Sequence, residues 1–156
     1  MKLFVIAAGV VAVIAGASVV PGPYSAAMHV TPGGVALLQS AEFDPAARAT
    51  IQRACGNCHS NDTEWPLYSR LAPVSWLIRK DVSEGRLFLN FSQWAAYGAE
   101  GQGQLLALAA GQVKEGKMPP QRYVLLHPEA RLSQGEKSRL IADLERESAR
   151  VSPSGK

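Results

Sequence analysis

Cys55-Gly56-Asn57-Cys58-His59 is the stretch on which the reading of this chain turns, and it holds both cysteines of the 156 residues. A C-x-x-C-H run reads as a c-type haem attachment site. The spacing has a chemical reason. Two thiols one helical turn apart can each add to a vinyl group of one porphyrin, and the adjacent imidazole can reach the iron as an axial ligand. With two cysteines and three histidines in the chain, random scatter gives this run about once in four thousand sequences.

Three other chemistries use the same residues. A thioredoxin-like C-x-x-C expects a βαβ context, and no such pattern surrounds it. A zinc site needs about four ligands, which leaves His127 to complete Cys55, Cys58 and His59. A disulfide three residues apart closes a small loop and constrains little. Haem c accounts best for the run, one haem held covalently through Cys55 and Cys58.

Working toward the N-terminus, Lys2 precedes an unbroken apolar or small-residue run, Leu3 to Val20, and then Pro21-Gly22-Pro23. Ala15-Gly16-Ala17 and Ser25-Ala26-Ala27 both suit a signal peptidase. Eighteen such residues also sit at the lower edge of what spans a bilayer. Residues 1–20 are therefore expected to be a signal peptide or an N-terminal membrane anchor, and the rest periplasmic. Residues 21–42, rich in Pro, Gly, Ser and Ala, read as a linker. Residues 43–150 form the expected haem domain, and 151–156 a disordered tail. Net charge is +3, with basic and acidic residues interleaved and no basic cluster, so nucleic acid is not an expected partner.

Within 43–150 the pattern is helical. Asp44-Pro45 offers an N-cap and a first-turn proline, and Ile51, Ala54, Cys55 and Cys58 recur on one face. Pro73 can open a second helix with Val74, Leu77, Ile78 and Val82 on one side and Gly85 as its stop. Leu105, Leu106, Leu108, Ala109 and Val113 suggest a third. Ser133-Gln134-Gly135-Glu136 is a capping box that starts a last helix, ending near Ala149. No segment alternates apolar and polar, so the fold class is mainly α.

Met118 leads the candidates for the second iron ligand. It follows a helix and precedes Pro119-Pro120, which offer no N–H and turn it out of helical conformation. A thioether would raise the potential, which suits an electron carrier. His127 as sixth ligand, or an open position, remain alternatives. Trp65, Tyr68 and Trp76 are expected to pack on the porphyrin, within an aromatic stretch that also holds Phe88, Phe91, Trp94 and Tyr97. Arg86 and Lys117 are candidate propionate partners. The His59 Nδ1–H needs an acceptor, expected from a carbonyl in the 60–73 loop.

These residues together resemble a known family. His59-Ser60-Asn61, Thr63, Trp65-Pro66, Tyr68-Ser69, Ala72-Pro73-Val74-Ser75-Trp76 and Asp81-Val82 are similar to the bacterial haem-binding domain family of small monohaem c-type proteins. So are Gly85-Arg86, Leu89-Asn90-Phe91-Ser92, Trp94, Met118-Pro119-Pro120, Tyr123, His127-Pro128-Glu129-Ala130 and Leu132-Ser133. The resemblance implies a cytochrome c-like helical fold, attachment through Cys55 and Cys58, and His59 as axial ligand. The function expected is periplasmic electron transfer through a His59/Met118-ligated haem, with redox proteins as partners and a possible membrane contact through residues 3–20. The alternative is a haem-based ligand-binding or redox sensor with an open iron position. With one attachment motif and no visible acid–base pair, an enzyme is not expected.

Overall fold

Helices account for all the regular structure of the described residues, 2–19 and 22–152 of this computed structural model. In chain order they are α1 (Lys2–Val19), α2 (Ala36–Ser40), α3 (Pro45–Ala54), α4 (Gly56–His59), α5 (Val74–Phe88), α6 (Gly98–Lys114), α7 (Gln121–Leu126) and α8 (Gln134–Val151), with short 3-10 helices between.

Local chemistry sets the starts. Asp44 Oδ1 accepts the N–H of Ala46 at 2.8 Å, and Pro45 occupies the first turn of α3. Ser133 and Glu136 form the expected reciprocal capping box on α8, satisfying two orphan donors at once. Glu136 also pairs with Arg53 at 2.7 Å, tying the start of α8 to α3. Asp143, 3% exposed, accepts the backbone N–H of Asp44 at 2.7 Å. Its negative charge is offset by the adjacent Arg146, as a buried carboxylate requires.

The core lies where α6 meets α8. Leu106, Ala110 and Val113 join Leu140 and Leu144, and Leu37, Ile51, Phe91 and Trp94 belong to the same cluster. Gly103 allows the close approach. A Cβ there would lie 2.7 Å from the Ser152 Cβ and 3.1 Å from the Ser148 carbonyl oxygen. The Ser148 hydroxyl donates to the Gly103 carbonyl at 2.7 Å.

Three sequence expectations are corrected. The described part of the expected linker 21–42, residues 22–42, is not free: Leu37 is 1% exposed, Ala27 and Val35 are buried, and α2 packs on the 3-10 helix Phe91–Tyr97. The uncharged Val35-Ala36-Leu37-Leu38 is apolar enough to join a core. α5 does not stop at Gly85 but continues to Phe88. Gly85 serves a close approach instead, since a Cβ there would lie 2.6 Å from the Cys58 carbonyl oxygen. α8 runs through Val151, which packs against the core. The remainder of the expected tail, 153–156, lies outside the described residues.

α1 carries exposed Leu3, Phe4, Val5 and Ile6, and its Ser18 hydroxyl oxygen accepts the N–H of Ala72 at 3.1 Å. Among the described residues, no helix is long and apolar enough to cross a membrane.

Candidate cofactor site

The attachment motif is shaped by a break between two helices. α3 ends at Ala54, Cys55 leaves helical geometry at φ −121°, and α4 makes one turn through His59. The N–H groups of Cys58 and His59 both return to the Cys55 carbonyl, at 3.2 and 3.0 Å. The two thiols are therefore one turn apart, and both are free. Cys55 packs against the α6–α8 core cluster, whereas Cys58 opens on a cavity. Burial pushes the Cys55 thiol up to about 12, with Cys58 adding to the rise and Arg53 opposing it. Burial likewise raises Cys58 to about 11, helped by Asp81 and opposed by Arg86 and Arg122. At neutral pH both are thiols, which limits their oxidation to a disulfide.

His59 is oriented by one hydrogen bond. Its Nδ1 lies 2.9 Å from the Leu89 carbonyl oxygen. A carbonyl only accepts, so Nδ1 carries the proton and Nε2 keeps its lone pair for a metal. The acceptor is thus Leu89, beyond α5, and not the 60–73 loop as expected. Burial lowers the pKa of His59, against the pull of the Leu89 and Gly85 carbonyls, which favours the neutral, ligating ring. Phe91 packs beside it at 5.5 Å between ring centroids.

Arg86 fixes the chain that follows. Its guanidinium donates to the Ser60 carbonyl at 2.8 Å, the Ala27 carbonyl at 2.7 Å and the Thr63 hydroxyl at 2.7 Å. These three partners are neutral oxygens. Arg86 therefore binds together the motif's exit and the N-terminal segment. Lys117, the other expected propionate partner, pairs instead with Glu115 at 2.6 Å on an exposed surface.

The cavity beside Cys58 has a volume of about 310 Å³, at the lower end of the range for ligand pockets. Val74, Leu77, Ile78 and Val82 form its α5 wall, the same four residues that the helical period placed on one side. Trp76 falls off that face. It is 36% exposed and lies over Gly22, away from the cavity. Trp65 is partly buried but outside the cavity lining, and Trp94 sits in the core. Of the three expected aromatic contacts, Tyr68 alone lines the cavity.

Facing α5 is α7, held by polar links. Arg122 donates to both carboxylate oxygens of Asp81, at 3.0 and 2.7 Å. The Tyr123 hydroxyl accepts from Asn57, the third residue of the motif, at 3.1 Å. Tyr123 also stacks on His127, with centroids 4.3 Å apart. Both His127 nitrogens are engaged, Nε2 with the Tyr68 hydroxyl at 2.7 Å and Nδ1 with Glu129 at 2.8 Å. It is therefore not free to ligate iron in this arrangement. Sequence reading gave Tyr123 no role; His127, just past the end of α7, comes back onto its ring four residues later.

Met118 is positioned by the end of α6. Gly116, at φ 71°, takes the left-handed conformation that glycine favours. The Gln112 carbonyl then accepts the N–H groups of both Lys117 and Met118, at 3.0 and 3.2 Å. The Met118 side chain packs, like Cys55, against the core cluster and does not line the cavity. Among the described residues no group of three or more His, Cys, Asp or Glu is gathered closely enough to hold a bare metal ion. The zinc alternative therefore finds no ligand set.

The donor set fits a porphyrin better: two free thiols a turn apart, an adjacent imidazole with its Nε2 lone pair fixed, and an apolar cavity reaching one thiol. The model of the haem-binding domain family matches residues 23–146. No curated protein and no solved structure matches the chain. The match begins at the buried segment before α2 and ends within α8, covering the folded unit just described. The chain belongs to the haem-binding domain family.

Proposed function

We propose that this is a monohaem c-type cytochrome that carries single electrons between redox proteins in the periplasm. Cys55 and Cys58 would hold the haem covalently, and His59 Nε2 would ligate its iron. Met118 is the proposed opposite ligand. When bound, the haem supplies one-electron iron chemistry, and the chain needs no substrate-converting groups. The protein contributes a ring of fixed tautomer and an apolar wall of α5 side chains, and Gly116 ends α6 two residues before Met118.

The observation that carries this reading is the His59–Leu89 hydrogen bond of 2.9 Å beside two unpaired thiols. A structural disulfide has no use for an imidazole locked with its Nε2 lone pair free, and among the described residues no further His, Cys, Asp or Glu gathers with these groups to complete a zinc site. The apolar α1 segment, Lys2–Val19, supports export as a leader.

A second reading has its own support. Met118 stays on the core cluster while the cavity opens beside Cys58, an arrangement that also suits a sensor with an exchangeable ligand. The visible spectrum of the reduced protein separates the two. Sharp low-spin bands unaffected by carbon monoxide are expected, with Met118→Ala opening the iron and lowering the potential. A prompt shift of the wild-type spectrum with carbon monoxide would instead favour the sensor.

A further inference from the structure

Tyr68, His127 and Glu129 form a continuous hydrogen-bonded chain from the cavity wall to solvent. Tyr68 and His127 line the cavity that Cys58 also lines. The His127 side chain is 19% exposed and that of Glu129 56%. The links measure 2.7 and 2.8 Å, within the range of good hydrogen bonds.

The proton positions follow from the partners. The backbone N–H of Glu129 and then His127 hold the Glu129 carboxyl below its usual range, so it is ionised and accepts. His127 Nδ1 therefore donates to it, and Nε2 is left to accept from Tyr68. Burial, with Glu129 adding to it, raises the Tyr68 phenol, which keeps its hydrogen. From the other elements, Tyr123 of α7 stacks on the imidazole, and Arg53 of α3 acts on Glu129. Glu64, Asp81 and Arg122 lie around the same cavity. Arg122 and Asp81 neutralise each other. Glu129 is the carboxylate in direct contact with the ring.

We infer that this chain is a proton site linked to the redox state of the cofactor, with His127 taking up one proton from solvent when the protein accepts one electron. The extra negative charge at the cofactor favours an imidazolium at the cavity wall. Glu129 stabilises that imidazolium through Nδ1. The new Nε2–H then donates to the Tyr68 oxygen, and the Tyr68 hydrogen turns toward the cavity. One N–H bond forms, none breaks in the protein, and the electron comes from the redox partner. Because Nδ1 already carries its hydrogen, the proton reaches Nε2 from the cavity side, past the Tyr68 hydroxyl.

The inference rests on the electron-transfer reading above. Its test is the reduction potential of the haem-loaded protein from about pH 5 to about pH 8, the range in which imidazoles titrate. The wild-type potential should fall as pH rises, by at most 59 mV per unit where one proton accompanies one electron. His127→Gln, which cannot take the proton, should remove most of that slope. Glu129→Gln, at an exposed position, removes the carboxylate that holds the imidazolium and should move the sloped region to lower pH. A slope that persists in His127→Gln would assign the proton to another group, a haem propionate foremost, and overturn the inference. An unchanged profile in Glu129→Gln would overturn it even if His127→Gln failed to fold. A flat wild-type potential in a haem-bearing protein overturns this inference alone, whereas a chain without covalent haem overturns the electron-transfer reading with it.

Discussion

The α6–α8 half and the α5–α7 half of this molecule are built on opposite terms. In the first, Gly103 brings two helices close, and Leu106, Ala110, Val113, Leu140 and Leu144 leave almost no surface exposed. In the second, α5 turns Val74, Leu77, Ile78 and Val82 toward a cavity of about 310 Å³, and α7 faces them with Leu125 79% exposed. What attaches α7 is chiefly polar: the Arg122–Asp81 pair, the Tyr123–Asn57 bond and the His127–Tyr68 bond. The motif sits on the seam, with Cys55 against the closed half and Cys58 on the open one. The contrast teaches a division of labour. One half supplies folding free energy without a cofactor. The other leaves apolar surface uncovered, which a large flat ligand would bury at a gain of about 25 cal/mol per Å².

Substitutions can break that contrast. Leu140→Ala removes a side chain 1% exposed from the closed half and should cost about 2–5 kcal/mol in chemical denaturation. Leu125→Ala, on the open half, should stay within about 0.5 kcal/mol. Equal losses would mean that the two halves are equally packed. Thiol reactivity probes the seam next. With Cys55 raised to about 12 and Cys58 to about 11, the thiolate fraction of the haem-free chain near pH 8 falls roughly 100-fold or more below that of a free cysteine. Alkylation should be slow there and quicken as pH rises toward about 11. Alkylation at the free-cysteine rate would show that the seam is not formed before the haem arrives. Because the folded thiols hold their protons more tightly than unfolded ones, the same shift adds stability that is full below the unfolded pKa and lost as pH rises through the folded values.

Smaller effects follow. Gly85→Ala puts a Cβ 2.6 Å from the Cys58 carbonyl oxygen and should cost about 1–3 kcal/mol by overpacking, despite the better helix propensity of alanine. A stabilised Gly85→Ala protein would mean that α5 can move off α4 freely. Tyr123→Phe removes one hydrogen bond to Asn57 and should cost about 1 kcal/mol. The loss should appear as faster hydrogen exchange in α7 with α8 unchanged, which would mark α7 as the weaker attachment.

Legibility divided along the same seam. Asp44-Pro45 and Ser133-Glu136 announce their helices because a cap is a local interaction, complete within four residues. The cavity face of α5 was equally readable, since Val74, Leu77, Ile78 and Val82 follow the helical period. Trp76 was misplaced by composition: an aromatic residue near the motif suggests the pocket, but its position on the helix turns it outward. The burial of Leu37 and the acceptor role of the Leu89 carbonyl depend on contacts between segments far apart in the chain. Neither leaves a local mark. The Tyr68–His127–Glu129 chain was half visible, because His127 and Glu129 stand two apart, while Tyr68 joins them only through the fold.

The mass of the mature protein, purified from a host able to export and attach haem, tests the central claim most directly. The account predicts one covalently added haem in the wild type and none when Cys55→Ala and Cys58→Ala are combined. A wild-type mass equal to the bare polypeptide, or haem stain that survives denaturing electrophoresis in the double variant, would contradict it.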